Sequence, residues 1–116
     1  MQSPHRGPLL EVFSDTTGVD FKAYFKGLVK KIRKQWYSQI PEAAKTPARK
    51  KGDTSVGFEI ARNGRFEDVR IVAISGEPVL DQAACTAVIN VGRHKKLPKE
   101  FKDPYLRFKY NPDPPQ

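Results

Sequence analysis

The chain has 116 residues, and 21 lysines and arginines against 13 aspartates and glutamates give it a formal net charge of +8 at pH 7. This length suits one domain with a single hydrophobic core. No apolar run approaches the roughly 18 residues that a membrane-spanning helix needs, and Met1–Val12 contain no apolar segment of the kind found in export signals. The single cysteine, Cys85, excludes internal disulfides and a zinc site built from several cysteines.

The ends of the chain are predicted to be a spacer and a tail. Residues 1–20 contain two prolines and two glycines with little periodicity, and residues 112–116 contain three prolines. We therefore expect a folded domain over residues 21–112, a linker or spacer over residues 1–20, and a tail over residues 113–116.

A helical pattern begins at Phe21. Apolar residues recur at steps of three and four and form one stripe: Phe21, Phe25, Leu28, Ile32 and Trp36. Asp20 is predicted to cap this helix, and Pro41 to bound it. The other side of the helix has no acidic residue and is predicted to form a basic surface that consists of Lys22, Lys26, Lys30, Lys31, Arg33 and Lys34.

A β-hairpin is predicted after this helix. Residues 55–61 alternate between apolar and polar side chains, as in a half-buried strand. Asn63-Gly64 is a strong signal for a tight hairpin turn, and residues 66–74 supply the return strand. The spacing of the apolar residues in the return strand predicts a β-bulge near Glu67 and Asp68.

The remaining elements are a second helix and a third strand. Small apolar residues form a stripe from Leu80 to Val91, and Gly92 provides a helix stop. Residues 105–110 alternate as a strand, and a right-handed crossover places this strand beside the first one. The expected fold is α+β in the order α-β-β-α-β: a three-stranded antiparallel sheet with strand one central and two helices packed on one face.

The sequence contains no set of residues that supports catalysis. There is no nucleophile with a base, no metal-ligand cluster and no glycine-rich phosphate loop, so we expect no enzyme activity, no catalytic residue, no metal and no cofactor. His94 lies in a basic loop and is expected to be exposed to solvent. Cys85 is expected to be a buried or half-buried residue of the second helix.

The third strand is the feature with the most functional interest. If the first strand is central, Tyr105–Tyr110 lies at an edge of the sheet, where its unpaired backbone groups could pair with an extended peptide from a partner. Arg107 and Lys109 are also the kind of charged residues that protect an edge. An ordinary protected edge is therefore the alternative that this pattern leaves open.

The order and spacing of several segments resemble the C-terminal periplasmic domain of the TonB and TolA energy-transducing proteins. The resemblance covers about Phe21 to Pro112. It rests on the helix that ends in Trp36, the Ile40-Pro41 and Leu97-Pro98 steps, the hairpin VGFEIARNGRFEDVRI, the turn and helix SGEPVLDQAACTAV, and the closing LRFKYNP.

The resemblance implies a module that a proline-rich spacer joins to an inner-membrane anchor and that works with an ExbB/ExbD-like proton-driven motor. It also implies that the last strand pairs with the TonB-box peptide in the plug of an outer-membrane transporter, by β-augmentation, for active uptake. Members of the family have an aromatic residue followed by proline ahead of the hairpin, near the transporter. The corresponding segment here is Gln39-Ile40-Pro41, in which Ile40 replaces the aromatic residue. The strand residues that this role falls on are Tyr105, Leu106, Arg107, Phe108, Lys109 and Tyr110.

Several alternatives stay open from the sequence. The long first helix that ends in Trp36 is similar to TolA, which would imply a role in envelope integrity. The basic surface is hypothesised to face peptidoglycan or anionic lipid head groups, and a homodimer by strand exchange is undecided. A nucleic-acid-binding α+β module is the rival class, favoured by charge and strand aromatics, but alternation places Phe58 on the apolar face and no RNP or GXXG motif occurs.

Overall fold

The structure is a computed structural model that describes residues 9–39, 54–74, 76 and 78–112. Within these ranges the elements are β1 (Leu9–Val12), α1 (Lys22–Gln39), β2 (Ser55–Ala61), β3 (Phe66–Ala73), α2 (Pro78–Val91) and β4 (Tyr105–Asn111). Neither of the two helices in the described ranges has the length and apolar character needed to span a membrane.

The two helices form where the sequence predicts them. The Asp20 carboxylate accepts a hydrogen bond from the backbone N–H of Lys22 at 3.1 Å, which confirms its capping role. Gly92 follows α2 with a φ of 66°, a left-handed conformation that glycine adopts without strain. Phe21, Leu28, Ile32 and Trp36 of the predicted stripe are buried. Tyr24 is buried where the stripe predicts Phe25, which is half-buried against the core.

The predicted hairpin is formed by β2 and β3. Its loop is closed by hydrogen bonds from the Gly64 N–H to the Ala61 oxygen (2.8 Å) and from the Ala61 N–H to the Arg65 oxygen (2.9 Å). Gly64 has a φ of 92°, so the connection is a three-residue loop that ends in a left-handed glycine. The predicted bulge is also present, since Asp68 has a φ of 56° and the register shifts at this point.

The sheet has four antiparallel strands in the order β1-β4-β2-β3. The prediction of an α+β fold is confirmed, and β4 lies beside β2 as the crossover argument requires. The prediction of three strands is wrong, because Leu9–Val12 forms a fourth strand on the far side of β4. This strand comes from the segment that the sequence pattern predicts to be a spacer.

One core lies between the helices and one face of the sheet. The rings of Phe58 and Phe108 stack at 5.1 Å between centroids, and Phe25 of α1 meets Phe108 edge-on at 5.8 Å. Leu10 and Val12 of β1 are half-buried against this core. Apolar burial therefore holds β1 on the sheet in addition to its backbone pairing.

His94 is buried, so the prediction of a solvent-exposed histidine is wrong. Its Nε2 lies 3.0 Å from the carbonyl oxygen of Tyr24, and the two rings meet edge-on. The imidazole fits beside Gly27 of α1, where a Cβ would lie 3.3 Å from the His94 Cε1. The basic neighbours Lys95 and Lys96 are exposed, and the local composition therefore suggested an exposure that the ring does not have.

Candidate functional site

Alternate side chains anchor β4 in the core. Leu106, Phe108 and Tyr110 are each at most 2% exposed, as the alternation predicts. The strand pairs with β2 from Tyr105↔Ala61 to Tyr110↔Val56. A pull on β4 would therefore act on the centre of the fold.

The opposite face of β4 carries charged side chains. The Arg107 Nη2 lies 3.0 Å from the Glu59 Oε2 on β2. The Lys109 Nζ lies 3.3 Å from the Glu11 Oε1 on β1. Both acidic partners are on neighbouring strands, so each pair connects β4 to one of its neighbours across the open face of the sheet.

The outer edge of β4 is covered, so the prediction that Tyr105–Tyr110 forms an edge strand is wrong. β1 pairs with β4 from Leu9↔Asn111 to Val12↔Phe108. Beyond β1, the Phe13 N–H donates to the Arg107 oxygen at 2.8 Å, and the Arg107 N–H donates to the Ser14 Oγ at 3.0 Å. In the sequence, only the apolar residues of Leu9-Leu10-Glu11-Val12 indicated this strand, and four residues are too few to show a clear alternation.

The cover on β4 is incomplete at its N-terminal end. Tyr105 is outside the register of β1 and its side chain is exposed. A depression of about 320 Å³ lies beside it, lined by Phe13, Ser14, Asp15, Asp103, Pro104, Tyr105 and Arg107. The Asp15 carboxylate accepts a hydrogen bond from the Thr17 N–H, so the chain turns away from the strand direction at this point.

Among the described residues no strand pairs with the outer edge of β3, where the Phe66 N–H donates to the Gly92 oxygen at 2.9 Å, and this edge is irregular. Asp68 is in a left-handed conformation at the bulge, and its Oδ2 lies 2.5 Å from the Arg70 Nη1. A second register shift separates Ser55 from Val56 on the partner strand. Bulges and charged side chains are the usual means by which proteins prevent pairing at an edge.

The predicted site before the hairpin falls mostly outside the described residues. Gln39 is the last residue of α1 and is half-buried. Ile40 and Pro41 lie outside the described residues, so their predicted contact with a partner stays a prediction.

The basic surface of α1 is largely exposed. Arg33 is half-buried, and its guanidinium carbon lies 5.3 Å from the centroid of the Tyr37 ring. The exposed lysines are Lys22, Lys26, Lys30, Lys31 and Lys34.

Of the five aromatic side chains in the described strands, all but Tyr105 face the core. Phe58, Phe108 and Tyr110 are buried and Phe66 is half-buried against the core, so they do not form the exposed stacking platform of RNA-binding sheets. In the part of the chain that the structure describes, no three histidine, cysteine or acidic side chains are grouped so that they could hold a metal ion. Cys85 is half-buried, as predicted, and burial raises the pKa of its thiol.

Comparison with protein families gives a match over more than half of the chain. A family model described as Gram-negative bacterial TonB protein C-terminal matches residues 38–111. Searches of curated proteins and of solved structures gave no significant match. The matched range contains β2, β3, α2 and β4, whereas β1 and nearly all of α1 precede it.

Proposed function

Because the chain belongs to the family of Gram-negative bacterial TonB protein C-terminal domains, we propose that it is the periplasmic domain of an energy transducer that binds an extended plug peptide of an outer-membrane transporter along β4. The family is one of binding domains, which agrees with the expectation that the protein is not an enzyme. An inner-membrane anchor and an ExbB/ExbD-like motor would supply the force from the proton gradient. The family match favours this role over the TolA-like one.

The observation that carries the proposal is the anchoring of β4. Three of its side chains are fully buried, and it pairs over six residues with the central strand β2. A peptide added to β4 would be held by backbone hydrogen bonds that each contribute about 0.5–1.5 kcal/mol net. Several such bonds transmit tension and still release when the load falls.

β4 suits this role better than β3, the strand at the other end of the sheet from β1. A peptide strand needs a regular row of backbone groups, and the row on β3 is interrupted by the bulge at Asp68. The row on β4 is regular, although β1 now occupies part of it. A partner peptide and β1 would therefore compete for the same backbone groups of β4.

The test is an amide-resolved NMR titration of the whole chain with plug peptides of outer-membrane transporters from the same organism. We expect shifts concentrated on Tyr105–Asn111 and on Leu9–Val12. Shifts confined to β3, or none at millimolar peptide, would contradict the proposal. A random oligonucleotide at physiological salt is the second arm, and shifts with it alone, spread over Lys22–Lys34 and lost with added salt, would favour nucleic-acid binding.

The exposed lysines of α1 support a second proposal, that this helix faces an anionic envelope component. Five of them lie on one helix with no acidic residue in its first turn. Peptidoglycan and anionic lipid head groups are the two candidates. Such a contact would position the domain without involving β4.

A further inference from the structure

β1 pairs with the same edge of β4 that a partner strand would use. It is antiparallel, in register over four residues, and comes from the opposite end of the chain, almost one hundred residues away. It lies outside the residues that match the family model. Strand pairing at the end of a sheet is among the first contacts of a fold to open.

We propose that Leu9–Val12 is an intrachain occupant of the partner-strand site, that a partner strand takes its place, and that Lys109 selects strands with an acidic residue between two apolar ones. The proposal rests on the function proposed above and names the recognition pattern of that site. It also gives residues 9–12 a role that a spacer would not have.

The recognition pattern follows from the side chains of β1. Leu10 and Val12 are directed to the core and are half-buried, while Glu11 between them is directed to the open face. There its carboxylate lies 3.3 Å from the Lys109 ammonium. A strand that replaces β1 in this register meets the same apolar surface and the same positive charge.

The length of β1 explains why it can be displaced. β1 pairs with four of the seven residues of β4, and the chain leaves the strand direction after Phe13 and Ser14. The depression beside Tyr105 continues the unpaired part of the edge. An extended partner can pair with all seven residues, so it gains contacts that β1 does not make. A partner can bind only when β1 has left β4. Its apparent affinity is therefore its intrinsic affinity multiplied by the fraction of molecules in which β4 is free.

A reversible disulfide between β1 and β4 tests the exchange without deleting any residue. Leu9 and Asn111 are cross-strand partners, and such pairs have Cα separations of about 4.5–5.5 Å, within the range for a disulfide. The variant is Leu9→Cys with Asn111→Cys, in a Cys85→Ser background. When it is oxidised, β1 is held at one end by the disulfide and at the other by its connection to α1. The reduced form of the same protein is the control, and amide spectra of both forms verify that the fold is kept.

The first probe is a synthetic peptide with the sequence of Leu9–Ser14, which tests the exchange independently of any transporter. We expect the reduced form to bind it and the oxidised form to bind at least about ten-fold more weakly. Equal binding to both forms would overturn the proposal, because the peptide would then dock elsewhere. Absence of binding to the reduced form at millimolar peptide would also overturn it.

Plug peptides of the transporters are the second probe, and they separate this proposal from the proposed function. If they bind the reduced and the oxidised forms equally, the function stands and the exchange is wrong. If the Leu9–Ser14 peptide exchanges but no plug peptide binds, the exchange stands and the proposed function is wrong.

The selectivity of Lys109 is tested by a charge swap. Lys109→Glu should shift the preference of the protein from the Leu9–Ser14 peptide towards the same peptide with Glu11→Lys, by about two- to five-fold for each ion pair lost or gained. Lys109→Glu also weakens the intrachain pair with Glu11, and comparing the two peptides on the same protein cancels that effect. Arg107→Glu is the matched control, because Arg107 pairs with Glu59 of β2. If Lys109→Glu and Arg107→Glu change the binding of both peptides equally, Lys109 does not select strands by the acidic residue at the position of Glu11.

Discussion

Gly64 in the hairpin loop and His94 after α2 are joined backbone to backbone. The His94 N–H donates to the Gly64 carbonyl oxygen at 2.9 Å, and a Cβ on Gly64 would overlap the His94 carbonyl oxygen. This contact connects the β2–β3 hairpin to the loop that leads to β4. The contact therefore fixes the beginning of this loop against the hairpin.

Gly64→Ala is expected to destabilise the domain strongly. The left-handed conformation alone costs a non-glycine residue about 1–2 kcal/mol, and the overlap with the backbone at His94 adds to this cost. Gly18→Ala is the matched control, since Gly18 has a φ of 84° but a Cβ added there would meet no atom within 4 Å. Urea unfolding should show a clearly larger loss for Gly64→Ala, and equal losses would mean that the close approach to His94 has no consequence.

His94 should make stability depend on pH. Burial lowers the pKa of His94 from its ordinary value of 6.5, opposed by the hydrogen bond with Tyr24 and helped by Lys31 and Lys95. The neutral ring is favoured in the fold, so the unfolded chain binds the proton more readily. The contribution is complete above about pH 6.5 and is lost as pH falls from there through the lower folded pKa.

The free energy of unfolding, measured with urea from pH 8 to pH 5, should fall with a slope of at most about 1.4 kcal/mol per pH unit for this one proton. His94→Gln retains an N–H donor near the Tyr24 oxygen but does not titrate. Its curve should be flatter over the same range. An unchanged slope in His94→Gln would assign the pH dependence to other groups.

Thr54 and Asp81 form a buried hydrogen bond between the start of β2 and the first turn of α2, with the Thr54 hydroxyl donating to Asp81 Oδ1. Thr54→Val keeps the shape but removes the donor. We expect a loss of about 1–3 kcal/mol, since the buried Asp81 oxygen loses this donor. Thr86→Val, at a half-buried position of α2, should change the free energy of unfolding far less. The idea fails if the two variants unfold at the same urea concentration.

Charge reversal tests the basic surface of α1. The change of Lys30, Lys31 and Lys34 to glutamate should reduce sedimentation with peptidoglycan or with anionic vesicles. For vesicles the affinity should fall by about two orders of magnitude or more, since each lysine near an anionic surface contributes about 1 kcal/mol. The same change at the exposed Lys96, Lys99 and Lys102 alters net charge equally on another surface. If both triple variants sediment like the original chain, α1 does not bind either component.

The sequence was sufficient to predict the elements whose hydrophobic pattern extends over several helical turns or a full strand. The stripe of α1, the alternation of β4, the Asn63-Gly64 turn and the bulge at Asp68 each follow from residue spacing. These patterns depend on local geometry, which a single sequence records well.

What the sequence did not predict depends on contacts between distant segments. β1 is short, and only its pairing with β4 and the burial of Leu10 and Val12 make it a strand. His94 is buried because Gly27 leaves space for its ring. In both places, tertiary packing determined the outcome where local composition suggested a linker or an exposed loop.

The central claim is that β4 holds an extended partner peptide through its backbone, and backbone methylation of that peptide tests it most directly. Two versions of one plug peptide are compared, each methylated at alternate amide nitrogens. Because alternate N–H groups of a strand are directed to opposite sides, one version should lose at least about ten-fold in affinity, measured by calorimetry, and the other should bind nearly as the unmodified peptide. Equal affinities for the two versions would contradict pairing along β4.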